Sequence, residues 1–135
     1  MPFAKKFRSE SEIKNFHVHV YYDGANKQLA GHLRREVGKR FKAELGRWRD
    51  KAIGPHPVSS FQITVDHAEF AALTSFLALN RGDLHMLLHP NTGDGVRDHT
   101  VNAMWIGPSI PLNEKWMERN KDRLNEISKE MVAGL

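Results

Sequence analysis

The chain has 135 residues, 40% hydrophobic and 27% charged, with a net charge of +4 and a pI of about 9.5. That is enough for one domain with its own core, and no apolar run approaches the ~20 residues a membrane span needs. Cysteine is absent, which excludes disulfides, thiolate ligands and a cysteine nucleophile and fits a reducing compartment.

Residues 1–14 read as a flexible, polar arm without the apolar centre of a secretory signal, so a cytoplasmic location is expected. Residues 15–135 then read as a single domain. Phe16 to Tyr22 alternates strictly. In a strand, side chains two apart share a face, so Phe16, Val18 and Val20 face one way and His17, His19 and Tyr21 the other. Asp23-Gly24 makes a turn. Leu29, Leu33, Val37, Phe41 and Leu45 then recur every four residues. This spacing predicts an amphipathic helix of about five turns, with Gly46 as its C-cap.

Residues 47–53 read as a short edge strand. Pro55 and Pro57 flank His56 and exclude helix there. Residues 58–65 predict a strand with Phe61, Ile63 and Val65 on one face and Ser60, Gln62 and Thr64 on the other. Asp66 caps a second helix, with Glu69 completing a capping box; Phe70, Leu73, Phe76 and Leu77 form its buried side. Residues 84–89 predict a strand that puts His85 and His89 on one face. A polar loop follows, carrying Asp94, Asp98 and His99. Residues 101–106 read as a further strand, and Asn113 caps a last helix with Trp116, Leu124, Ile127 and Met131 as its stripe.

The first six elements are in the α+β, ferredoxin-like order βαββαβ, here with an extra strand and a C-terminal helix. Its strand order, 4-1-3-2, makes the two histidine strands antiparallel neighbours. His17 then lies close to His89, and His56 enters at the start of the strand on the other side. The polar sides of all three strands meet on the face the helices leave uncovered.

Eight histidines in 135 residues is the unusual feature. Imidazole suits iron, zinc, copper and nickel, and a cluster without cysteine argues against structural zinc. His32 and His67, on the helices, carry no functional expectation. The basic residues from Arg34 to Lys51 are interrupted by acids and lack the interleaved aromatics of a base-stacking surface. They read as a solvated helix face, and no nucleic-acid partner is expected.

Four stretches, taken together and in order, carry a resemblance. They are Phe16 to Tyr22, Gly54 to Phe61, Leu87 to Gly93, and Asp98-His99-Thr100 followed by Trp105-Ile106-Gly107. The set resembles the DOPA 4,5-dioxygenase family, of the fungal pigment type with bacterial relatives, from about residue 15 to 112. The resemblance implies extradiol opening of a catechol ring by O2 at non-haem Fe(II), with zinc or another divalent metal possible in its place. It implies metal ligands among His17, His19, His56 and His89, with one of these, such as His17, free to act as base. His85 and His99 follow as proton-transfer or substrate-contact residues, and Tyr21, Gln62 and Asp98 as substrate contacts. A sheet with an open face commonly pairs, so a homodimer is expected to shelter the site. The competing reading is a zinc- or copper-binding domain of the same fold without oxygenase activity.

Overall fold

In the computed structural model, which describes residues 6–133, five strands form one antiparallel sheet in the order β2-β3-β1-β4-β5. The strands are β1 (Phe16–Tyr21), β2 (Glu44–Leu45), β3 (Ser60–Val65), β4 (His85–Pro90) and β5 (Met104–Ile106). Helices α1 (Lys27–Arg40) and α2 (His67–Asn80) cross over between strands. After β4 come a one-turn helix α3 (Gly95–Asp98), then α4 (Glu114–Arg119) and α5 (Lys121–Val132). The first four strands with α1 and α2 are the ferredoxin-like arrangement, and β5 extends it beyond β4.

The core follows from the alternation of the strands. Val18, Val20, Phe61, Ile63, Met86 and Leu88 pack against Ala30, Leu33 and Val37 of α1 and Leu73 and Leu77 of α2. At roughly 1.5–3 kcal/mol for each fully buried large aliphatic or aromatic side chain, this layer supplies most of the drive to fold. Among the described residues, no helix is long and apolar enough to cross a membrane.

Several local expectations are corrected. Helix α1 ends at Arg40, because Phe41 turns into extended backbone (φ −124°, ψ 149°). Leu45 therefore lies in β2 opposite Ile63, and Gly46 is not a cap but donates its N–H to the Gln62 carbonyl (2.8 Å). The edge strand is thus at Glu44–Leu45, with isolated bridges alone, Arg49 to Ser60 and Ile53 to His56, in the stretch expected to carry it. Asp66 does cap α2, accepting from Ala68 N. Glu69 does not close a capping box; its carboxylate accepts from Lys42 N instead. The last strand is shorter than expected, and the single C-terminal helix is two, broken at Asn120. Residues 1–5 of the expected arm lie outside the described residues. Farther along it, Glu10–Glu12 make a 3-10 turn, and Lys14 N donates to Asn91 O.

The larger correction concerns the second face of the sheet. It is not open. All six residues of β1 are buried, because α3 and α5 fold back over the imidazole side. Gly95 permits this approach: a Cβ there would overlap the Leu124 carbonyl of α5. The chain's own C-terminal segment therefore does what a second copy was expected to do, and the structural reason for a homodimer does not apply.

Gly95→Ala should destabilise the protein by about 3 kcal/mol, the upper end for overpacking, since backbone is the obstacle. Gly24→Ala, with nothing within 4 Å of its added carbon, should stay within about 0.5 kcal/mol as a surface change does. Urea denaturation of the two variants measures this, and equal midpoints would show that α5 is not seated on α3.

Candidate functional site

The site starts from the alternation of β1. Val18 and Val20 are committed to the core, so His17, His19 and Tyr21 are fixed on the other side. The β1–β4 register places His17 opposite His89, His19 opposite Leu87 and Tyr21 opposite His85. The His19 and His89 Nε2 atoms come within 3.1 Å. The His17 ring stands edge-on to His89, with centroids 5.1 Å apart.

Two further imidazoles arrive from loops. His56, held between its prolines and by a bridge to Ile53, lies with its ring 4.1 Å from that of His19. Its Nδ1 is 2.7 Å from the Tyr21 hydroxyl. His99 follows α3, and its ring centroid is 4.0 Å from that of His89. The Nδ1–H of His99 donates to the Gly95 carbonyl (2.7 Å), and that of His89 to the Pro90 carbonyl (2.9 Å). Fixing the proton on Nδ1 leaves Nε2 of each ring with a free lone pair. This is the means by which metal-binding histidines are oriented.

The rings enclose a cavity of about 140 Å³, closed on the far side by Leu124, Ile127, Ser128 and Met131 of α5. Removal from water disfavours the charged imidazole. Burial pushes His17 down to about 4, with the neighbouring His99 adding to it, and His56 down to about 3. His19 and His89 are lowered well below the usual range, again chiefly by burial. His99 is lowered for the same reason, partly offset by its bond to Gly95. Burial raises the Tyr21 phenol. All five imidazoles are therefore neutral at pH 7, as a metal ligand must be.

The donor set fits a divalent cation. One nitrogen each from His17, His19 and His89 lies within 4.8 Å of the others, and the same holds for His19, His56 and His99. Metal–imidazole bonds of about 2.0–2.1 Å can span the His19–His89 pair as it stands. The Nε2 of His17 is buried with no hydrogen-bond partner. An unsatisfied buried polar atom costs about 1–3 kcal/mol and calls for an explanation; a bound cation supplies one.

A family model described as the Dopa 4,5-dioxygenase family matches residues 16–116. The chain belongs to that family. It is 42% identical over 113 residues to a DOPA 4,5-dioxygenase of Amanita muscaria, covering 77% of this chain and 50% of that protein. It is 36% identical over 121 residues to an uncharacterised 21.2 kDa protein of Botryotinia fuckeliana, covering 80% of this chain and 66% of the other. The chain thus spans between half and two thirds of the length of these relatives. A crystal structure of a candidate dioxygenase from Nostoc punctiforme superimposes with a TM-score of 0.81 at 41% identity, covering 84% of this chain and 98% of that one.

Within this member of the family, the fold brings together His17, His19, His56, His89 and His99, while Gln62 lines the same cavity. Tyr21 reaches the cluster through His56. His85 is on the same face but farther along β4, and its Nδ1 bonds the Pro108 carbonyl (2.7 Å). Asp98 is fully buried and accepts from Thr92 N, Thr92 Oγ1, Asn102 Nδ2 and Ser128 Oγ. Its oxygens are taken up in holding the loop to α5. The covering residues Leu124, Ile127, Ser128 and Met131 were not foreseen as part of the site. Their i, i+3, i+4, i+7 spacing was the available signal.

A histidine that titrates normally when unfolded, near 6.5, but is held lower in the fold makes the unfolded chain bind more protons in between. Stability of the metal-free protein should thus be fully present above about pH 7 and fall as pH drops toward about 4, by up to ~1.4 kcal/mol per pH unit for each such imidazole. Urea midpoints measured with a chelator across that range test this; a flat profile would mean that the rings are solvated.

Proposed function

We propose that this protein is a non-haem iron dioxygenase that opens the ring of a catechol beside its two hydroxyls, using O2. The observation that carries the reading is the unpartnered, buried His17 nitrogen close to a second and third neutral imidazole. The family supports it. His17, His19 and His89 are the proposed ligands, because they stand on two adjacent central strands and are buried. A ferrous ion held there supplies acidification of the catechol hydroxyls and a common centre for the ring and O2.

The remaining work belongs to the chain. His56 and His99 flank the ligand trio and stay neutral, so each has a lone pair with which to take a hydroxyl proton. Tyr21, with its phenol protonated, fixes the orientation of the His56 ring through Nδ1 and can share the proton that His56 gains. His99 is held by the Gly95 carbonyl, which stabilises the same ring once protonated. Gln62 presents its amide to the bound molecule. Leu124, Ile127 and Met131 exclude water, which would otherwise compete for the reactive product.

A second ligand set, His19, His56 and His99, has comparable spacing, and variants separate the two. Protein purified without oxygen should carry iron, take up O2 with catechols and give a yellow ring-opened product. His19→Ala and His89→Ala should lose the metal, and exposed His32→Ala should behave as wild type. His17→Ala should also lose metal, whereas His99→Ala should keep it and turn over about 10²-fold more slowly, as loss of an acid–base group does. The reverse pattern assigns the second set. Tight zinc, with no O2 uptake after iron is restored, would replace the dioxygenase reading with that of a non-oxygenase metal-binding domain.

A further inference from the structure

One wall of the histidine cavity carries a thioether. Of the five methionines, Met86 lies in the core and Met117 is buried, whereas Met104 is 43% exposed on β5. Among the described residues, Met131 is the methionine that lines the cavity with His17, His19, His56, His89 and His99, and it is half-buried there. A thioether that takes up one oxygen atom becomes a sulfoxide, polar where the sulfur was apolar.

The position of Met131 on α5 gives that change a consequence. Two side chains fasten the helix to the loop after β4. Asn125 accepts from Val96 N (3.2 Å); Ser128 accepts from Gly93 N (2.9 Å) and donates to Asp98 (3.2 Å). Among the described residues, Ser128 is the last side chain of α5 to make a hydrogen bond or ion pair. The helix ends at Val132, with Ala133 already outside helical backbone (φ −57°, ψ 129°). Apolar contact packs this final turn: Met131 on the cavity, and Val132 against Gly93, where an added Cβ would stand 3.3 Å from Val132 Cγ2.

The cavity offers a sulfoxide little to bond. The Nδ1–H groups of His89 and His99 are committed to the Pro90 and Gly95 carbonyls, and the Tyr21 hydroxyl faces His56 (2.7 Å). A sulfoxide oxygen is an acceptor, and a buried acceptor without a donor is costly. Water beyond the end of α5 satisfies it, and only the last turn has to lift.

The oxidant follows from the proposed reaction. A catechol that gives up two electrons and two protons without losing its ring leaves as a quinone, and O2 becomes hydrogen peroxide. The thioether sulfur attacks one peroxide oxygen. An S–O bond forms, the O–O bond breaks, and the departing hydroxide takes the proton left on the transferred oxygen to leave as water. The sulfur is oxidised by two electrons and the peroxide reduced by two.

We propose that Met131 is a self-oxidation site: hydrogen peroxide formed at the histidine cluster converts it to the sulfoxide, which releases the last turn of α5 from the cavity. The proposal rests on the reading of the cluster as an iron dioxygenase site and extends it. Turnover that fails to open a ring opens the cover instead.

The test reads oxidation and helix release, kept apart from turnover. Iron-loaded protein and protein stripped with a chelator would each receive equimolar hydrogen peroxide under argon, followed by peptide mapping by mass spectrometry. With iron, Met131 should gain oxygen about tenfold faster than Met104, a small share of what proximity can supply. Without iron, the more exposed Met104 should lead. Amide hydrogen exchange at residues 129–133 reports local opening; it should quicken once the wild type is oxidised and stay slow in Met131→Leu, a swap of similar volume. Met104 leading in both samples, slow exchange after Met131 is oxidised, or equal quickening in Met131→Leu would each overturn the proposal. Catechol-dependent O2 uptake by the same preparation separates the two readings. Uptake with Met131 untouched by peroxide keeps the dioxygenase and removes the oxidation site; Met131 oxidation without uptake does the reverse. A preparation that retains no iron removes both.

Discussion

Five imidazoles can share one enclosed space only while they remain uncharged. Each protonation would place a cation out of water and beside four potential like charges, which is why burial and mutual repulsion both drive their affinities for protons down. Neutrality has a second consequence. Each ring then offers one N–H and one lone pair, and two of the N–H groups are committed to the carbonyls of Pro90 and Gly95. The cluster is therefore rich in lone pairs and poor in donors. The 3.1 Å contact between His19 and His89 can be satisfied by a single proton, and His17 Nε2 is left with nothing. A cation resolves this imbalance, because it accepts several lone pairs at once without needing an added proton.

Keeping those rings dry depends on a different chemistry one residue away. Asp98 is surrounded by four neutral donors, and these tie the loop after β4 to Ser128 of α5. Gly93 N donates to the same serine hydroxyl (2.9 Å), and Val96 N to Asn125 (3.2 Å). Adjacent residues thus divide the labour. Asp98 closes the cover and His99 presents a nitrogen to the site. Because a single short segment does both, the cover and the fifth imidazole cannot be positioned independently. Movement of α5 would reach His99 through Asp98.

Much of this was legible in the residues. The alternation of β1 separates an apolar side from an imidazole side, since a strand offers no third direction. The element order then places His17 against His89, as the register confirms. What could not be read has physical reasons. Leu45 continues the four-residue spacing of α1, yet spacing alone does not register that Phe41 has already left the helix. The apolar stripe of α5 was visible, but not its partner, because it lies over imidazoles and Gly95 of α3 rather than on another apolar stripe. In the sequence Asp98 is one acid of a polar loop, beside His99. Only its four donors show that its charge is spent within the loop.

The two clefts beside the cluster differ in how they are built. On the α5 side the walls are aliphatic and come from a helix fastened by a buried carboxylate. On the β2 side, where a second hollow shares His19, His56 and Gln62, they come from an edge strand with two ladder pairs, followed by Gly46, whose carbonyl accepts from Arg34 (2.8 Å). The proposed ligand nitrogens belong to β1 and β4, each paired along its length with neighbours on both sides or next to the centre of the sheet. A site on central strands is held more rigidly than one on loops, whereas an edge strand can change its residues without disturbing the ladder behind it. Under the proposed ligand roles, substitutions at this edge would leave the nitrogens of β1 and β4 where they are.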